Sequence, residues 1–207
     1  MADISNTLIA NMALSHIGAA QIDSLTEASS EARQVTIWYD YSRLQALEVF
    51  DWNFARKRLQ LALHGDVISD TSTDPLAGVW GFRYQYPGDC VAARKIQNSA
   101  APPDDATPFE VEVSLDGQEK TILSDMEDAV LVYTFDTEHT NLYSPFFVEL
   151  LSHLLASHIA FSLTGKNKVK ENEFAIYQSL VISAPAHNAN EMVEAPPRDS
   201  EWIRGRA

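Results

Sequence analysis

Along this chain the spacing of apolar positions switches from helical to alternating and back again. Ile4, Leu8, Met12 and His16/Ile17 recur at three- and four-residue intervals and predict a first helix over 5–17, with Gly18 as a left-handed stop. A second helix ends near Asp51. Ser24 and Glu27 have capping-box spacing, but Ser29 or Ser30, a turn later, also fits as the start. Ala32, Val35, Tyr39, Ser42, Ala46 and Val49 line one face of it, and Trp38, Tyr41 and Leu44 widen the apolar surface.

Residues 52–63 have no clear period, and 64–78 have the Asp, Ser, Thr, Gly and Pro content of a loop. The period then becomes two. Trp80, Phe82, Tyr84 and Tyr86 alternate with polar or small residues up to Pro87-Gly88, and a short strand is expected over 91–96. After a Pro-rich loop over 98–108, Phe109, Val111, Val113 and Leu115 share one face of a strand, opposite Glu110, Glu112 and Ser114. Asp116-Gly117 predicts a two-residue hairpin turn into 121–123, and 130–135 is a further strand. Together these make one small antiparallel sheet.

Helical spacing returns at Ser144-Pro145, a serine N-cap with proline in the first helical position. Apolar residues almost surround this third helix, which suits the centre of a bundle or an interface, and Thr164-Gly165 stops it. A fourth helix is expected over 167–183, carrying Val169, Phe174, Ile176, Tyr177 and Leu180. The fold class is therefore α+β. It is mainly a helical bundle (1–63 and 144–184) with an inserted antiparallel lobe (79–136), all one domain over 1–184, followed by an extended C-terminal arm over 185–207.

Composition narrows the function by exclusion. Hydrophobic residues are 45% and charged residues 21%, an ordinary globular balance. No apolar run approaches the roughly 20 residues that cross a bilayer, and the first residues lack the basic start and apolar block of a signal peptide, so no membrane role is expected. The single cysteine, Cys90, forms no intramolecular disulfide framework. A net charge of −14 argues against a nucleic-acid grip, which needs cations against phosphates. It suits solubility, or a channel wall that repels a sliding duplex.

Catalytic and cofactor motifs are missing. Among the six histidines, His153 and His158 are five apart and diverge by about 140° around a helix, so no metal site is expected from spacing. There is no nucleophile elbow and no phosphate-binding glycine loop. Asp125, Glu127 and Asp128 would serve a metal-dependent hydrolase, or simply a solvated turn. Two basic clusters, Arg56-Lys57-Arg58 and Lys166, Lys168 and Lys170, suit phosphate or acidic patches on this or adjacent subunits. Trp202, Ile203, Arg204 and Arg206 end the polar, Pro-rich arm and suit a segment that orders on a partner; a frayed terminus is the plain alternative.

Several segments in order resemble one known family. They are Leu14-Ser15-His16-Ile17-Gly18 followed by Ile22-Asp23-Ser24-Leu25; Trp52-Asn53-Phe54-Ala55; Tyr84-Gln85-Tyr86-Pro87-Gly88-Asp89-Cys90; Ile122-Leu123-Ser124-Asp125; Val132-Tyr133-Thr134; and Ser144-Pro145-Phe146-Phe147 leading into Leu154-Leu155-Ala156-Ser157-His158-Ile159-Ala160. Over about residues 4–165 the chain resembles the tail tubular protein A family, the head-to-tail adaptors of short-tailed phages. Tyr86 stands where family members often have leucine. The resemblance implies a helical bundle with a β-rich insertion, and a dodecameric ring in the virion neck between portal and tail nozzle. DNA would pass through that ring without specific binding. It implies no catalytic residue and no cofactor, and it does not reach 166–207. Another phage neck connector and the hydrolase above are the alternatives.

Overall fold

The computed structural model describes residues 4–68, 74–97 and 107–189. Four helices form the bundle: α1 (Asn6–His16), α2 (Ser30–Glu48), α3 (Pro145–Thr164) and α4 (Asn167–Ala189). Six strands lie between α2 and α3: β1 (Arg56–Gln60), β2 (Phe82–Gln85), β3 (Cys90–Gln97), β4 (Glu110–Val113), β5 (Lys120–Ser124) and β6 (Val130–Phe135). The fold is α+β, a helical bundle with a β-rich insertion.

Local chemistry sets the helix ends. Ser5, Ser29 and Ser144 cap α1, α2 and α3 by accepting the backbone N–H of Leu8, Ala32 and Phe147, filling one of the bonds that a helix start leaves open. Gly18 and Gly165 turn the chain out at φ +70° and +69°, a conformation that costs a residue with a Cβ about 1–2 kcal/mol. Ser24 and Glu27 do not start α2. Glu27 accepts the Asp23 N–H instead and closes a turn ahead of it.

Helix α3 runs through the middle of the bundle, against α1, α2 and α4. By length and composition it can cross a bilayer, contrary to the expectation that no apolar run is long enough. Glu149, His153 and His158 interrupt the run without removing its overall apolar character. Two thirds of that apolar stretch is buried inside the bundle, as a core helix requires.

Of the stripe expected on α1, Ile17 is buried and Ile4 and Met12 pack partly against the core, but the fully buried face lies beside it. Ile9, Ala10, Ala13 and Leu14 are fully buried, while Leu8 is 42% exposed. Small alanines allow close approach to α3, which spacing of large residues alone does not reveal. On α2 the expected face is buried except at Val49, which lies past the last helical turn, and Arg43 and Leu47 join it.

The strands form two three-stranded antiparallel sheets rather than one, ordered β1-β6-β3 and β2-β5-β4. β1, placed by the sequence within the first bundle segment, belongs to the lobe. Residues 61–64 then carry the chain across to the second sheet: Leu61 donates to the Ala129 carbonyl, and the Ala62 carbonyl accepts from Gln85. Tyr84, Ile96, Ile122, Leu131 and Tyr133 from both sheets share one small core.

On β4 the alternation is right, but the burial is reversed from Val111 onward, while Phe109 just before the strand packs partly against the lobe core. Val111 and Val113 on the strand and Leu115 just past it are exposed, because β4 is the outer strand of its sheet and β5 fills the core with Ile122 and Leu123. The hairpin loop is four residues, not two. Ser114 N–H donates to Glu119 O across 115–118, with Gly117 at φ +73°.

Helix α4 extends through Pro185 to Ala189, so 185–189 are helical rather than arm. Proline removes one helical hydrogen bond. Tertiary anchors offset it: Asn188 Oδ1 accepts from Asn53 N–H, Asn188 O accepts from Asn53 Nδ2, and His187 stacks on Phe146 at 4.0 Å.

Candidate interaction site

Among the described residues a concavity lies where α3 begins, the last described turn of α4 sits and the chain leaves α2 for the lobe. It encloses about 420 Å³ and is lined by Trp52, Phe54, Pro145, Phe146, Glu149 and His187, among others. Its floor is rigid. Trp52 is 2% exposed, donates its indole N–H to the Ala46 carbonyl at 2.8 Å, and meets Phe50, Phe54 and Phe147 edge-on or tilted. The Ser144 cap and Pro145 fix the first turn of α3 and thereby Phe146, while Asn53 and Asn188 lock the last turn of α4. Glu149 stands exposed at the rim. An aromatic recess with one carboxylate suits an apolar side chain with a cation beside it.

The basic residues selected from sequence separate into two groups. Arg56 binds Asp51 at 2.8 and 3.1 Å, and Lys57 binds Asp89 at 2.6 Å and lies over Phe135, so two of that cluster are held within the subunit. Asp89 is held below the usual carboxylate range by hydrogen bonds from Lys57 and Tyr133, which outweigh its burial. Lys166, Lys168 and Lys170 are exposed at the α3–α4 turn, the opposite end of that helix pair from the recess. Trp202, Ile203, Arg204 and Arg206 lie outside the described residues.

Asp125, Glu127 and Asp128 form the turn between β5 and β6. Asp125 accepts the Gly81 N–H at 2.8 Å, and Asp128 adopts φ +53°. These roles are those of a turn.

Sequence spacing did not reveal one cluster. His16, His153 and Glu173, from α1, α3 and α4, bring donor atoms within 4.8 Å of one another. His153 Nδ1 is 2.7 Å from Glu173 Oε2, and His16 Nε2 is 3.0 Å from Ser152 Oγ. The imidazoles stack 4.0 Å apart at 14°, so their in-plane lone pairs run side by side rather than converging on one point. The geometry is that of a stacked, hydrogen-bonded pair. Ligation of one ion by both rings requires one to rotate.

Two arginines join the bundle to the lobe. Arg94 of β3 donates to the carbonyls of Leu47, Glu48 and Phe50 at 2.7–3.1 Å, at the C-terminal end of α2, and to Thr134 Oγ1 at 2.8 Å. A cation there complements the helix dipole. Arg43 of α2 is 4% exposed, pairs with Asp136 just after β6, and donates to the Thr137 carbonyl at 2.9 Å.

Compared with protein-family models and with curated proteins, the chain matches none.

Proposed function

We propose that this protein is a structural subunit of a phage virion, a head-to-tail adaptor that forms a ring between portal and tail nozzle around the DNA channel. The ordered segments resembling the tail tubular protein A family carry this reading. The helical bundle with a β-rich insertion is the layout that the resemblance implies, and it agrees with the proposal.

The surface chemistry suits ring assembly. Along α2, Ile37, Tyr41 and Leu44 are 63%, 57% and 37% exposed at four- and three-residue spacing, so they share one face. Trp38 stacks on His158 at 4.8 Å beside them. Exposed apolar patches of this kind mark interaction surfaces. A closed ring needs heterologous contacts, one patch meeting a different patch on the next copy. In this assembly acidic groups face the channel and leave packaged DNA mobile.

Mass measurement and electron microscopy of the purified protein, alone and with a portal, test the proposal. The expected result is a ring on the portal, with or without a ring in isolation. A strict monomer that never binds portal overturns it, and a strongly basic lumen overturns the placement of the acidic groups.

A further inference from the structure

We propose that the aromatic recess at the α3–α4 end is the seat for the C-terminal segment Trp202–Arg206 of a neighbouring copy, so that each subunit grips the next by its arm. The choice of a neighbour as donor rests on the ring reading; the recess as the seat does not.

Three observations converge on this occupant. The first is chemical fit. The recess offers the faces and edges of Phe54, Phe146 and His187 above buried Trp52, with Glu149 at its rim. The segment Trp202-Ile203-Arg204-Gly205-Arg206 supplies a large aromatic, an aliphatic side chain and two guanidinium groups. Tryptophan inserted among aromatics with arginine on a carboxylate is the combination that dominates interface energetics.

The second is reach. The described part of α4 reaches Ala189, and the twelve residues 190–201, thirteen Cα steps, separate it from Trp202. Extended, that length spans about 43–47 Å. The compact part of this chain has an expected diameter of about 40 Å from its residue count. Equivalent recesses on adjacent ring subunits are about one diameter apart, within the arm's span.

The third is direction. His187 and Asn188 border the recess, so the arm departs from beside its own pocket. Seating its own Trp202 there would require the twelve intervening residues to double back on themselves. Pro196-Pro197 opposes this, since consecutive prolines favour extended backbone.

Two measurements on the full chain test the seat and the donor separately. In the first, a labelled peptide of residues 190–207 is titrated into the Trp202→Ala chain, and anisotropy reports binding. The expected result is saturable binding that weakens about ten-fold with Glu149→Lys, a rim change that leaves the aromatic floor intact. No binding, or binding indifferent to Glu149→Lys, overturns the recess as the seat.

In the second, Cys90→Ser chains carrying Glu149→Cys are mixed with Cys90→Ser chains carrying Ile203→Cys and oxidised. Disulfide-linked pairs between the two populations support donation to a neighbour. If mixed chains stay apart while a chain carrying both cysteines closes on itself, the neighbour is overturned and the seat stands. Portal binding is scored independently, so failure of the adaptor reading is distinguishable from failure of either measurement.

Discussion

The stacked rings of His16 and His153 make α1 docking sensitive to protons. Two imidazolium rings face to face at 4.0 Å repel, and Glu173 neutralises only the ring that it touches. Burial, and then the charge of His153, lower the pKa of His16, against smaller opposing contributions from Glu173 and Glu149. Burial and Lys170 lower that of His158, which stacks on Trp38. Lowered folded-state values mean that the unfolded chain binds these protons first. The stability involved is complete above the ordinary histidine value near 6.5 and is lost as pH falls below it. Urea midpoints are expected to drop between about pH 7 and pH 5, and His16→Gln should flatten part of that slope. An unchanged slope in the variant removes His16 as the sensor.

At the scale of elements, α3 depends on its two ends. Ser144→Ala removes the hydroxyl that receives the Phe147 N–H at 3.2 Å and should cost about 1 kcal/mol. Gly165→Ala places a Cβ at φ +69° and should cost about 1–2 kcal/mol. Chemical denaturation checks both, and Ser144→Thr should recover most of the first loss. These ends were legible because the signals are local: a capping serine, a proline in the first turn and a glycine stop all act within a few residues. β1 was not legible. Arg56-Lys57-Arg58-Leu59-Gln60 carries no alternation and becomes a strand because β6, some seventy residues later, offers a partner edge. β4 shows the converse case, where alternation identified the strand but could not say which face the small lobe would cover. The last turn of α4 was hidden for a similar reason. Pro185 argues for a stop, and only the contacts of His187 and Asn188 with Phe146 and Asn53 carry the helix onward. The recess was half visible, because Trp52 to Phe54 and Ser144 to Phe147 stood out as segments while their convergence with His187 did not.

At the scale of the whole molecule, Arg94 and Arg43 hold the lobe to the bundle at separate points. Arg94→Met keeps much of the side-chain volume but leaves three carbonyls at the end of α2 without their charged donor. A loss of about 2–3 kcal/mol is expected, the range for a hydrogen-bonded charged group. Denaturation followed by both far-UV and aromatic signals measures it. If lobe and bundle depend on each other through these clamps, the two signals remain coincident in the native protein and separate in the variant. Unchanged stability would mean that the packing of β3 against α2 suffices without the guanidinium.

The insertion of the six-stranded lobe between α2 and α3 also has a kinetic side. His16 meets Ser152 across 136 residues of chain, and the other α1–α3 contacts span comparable distances. The central helix therefore cannot find its first two partners until the chain between them has been drawn in, and all six strands of the antiparallel ladders lie in that chain. Helical bundles ordinarily collapse quickly because their contacts are local, whereas here the loop-closure entropy of the lobe falls on the helices. The subunit should refold at the pace of a β protein although it has more helix than strand. Until it does, the apolar surface of α3 stays exposed and open to association with other nascent chains.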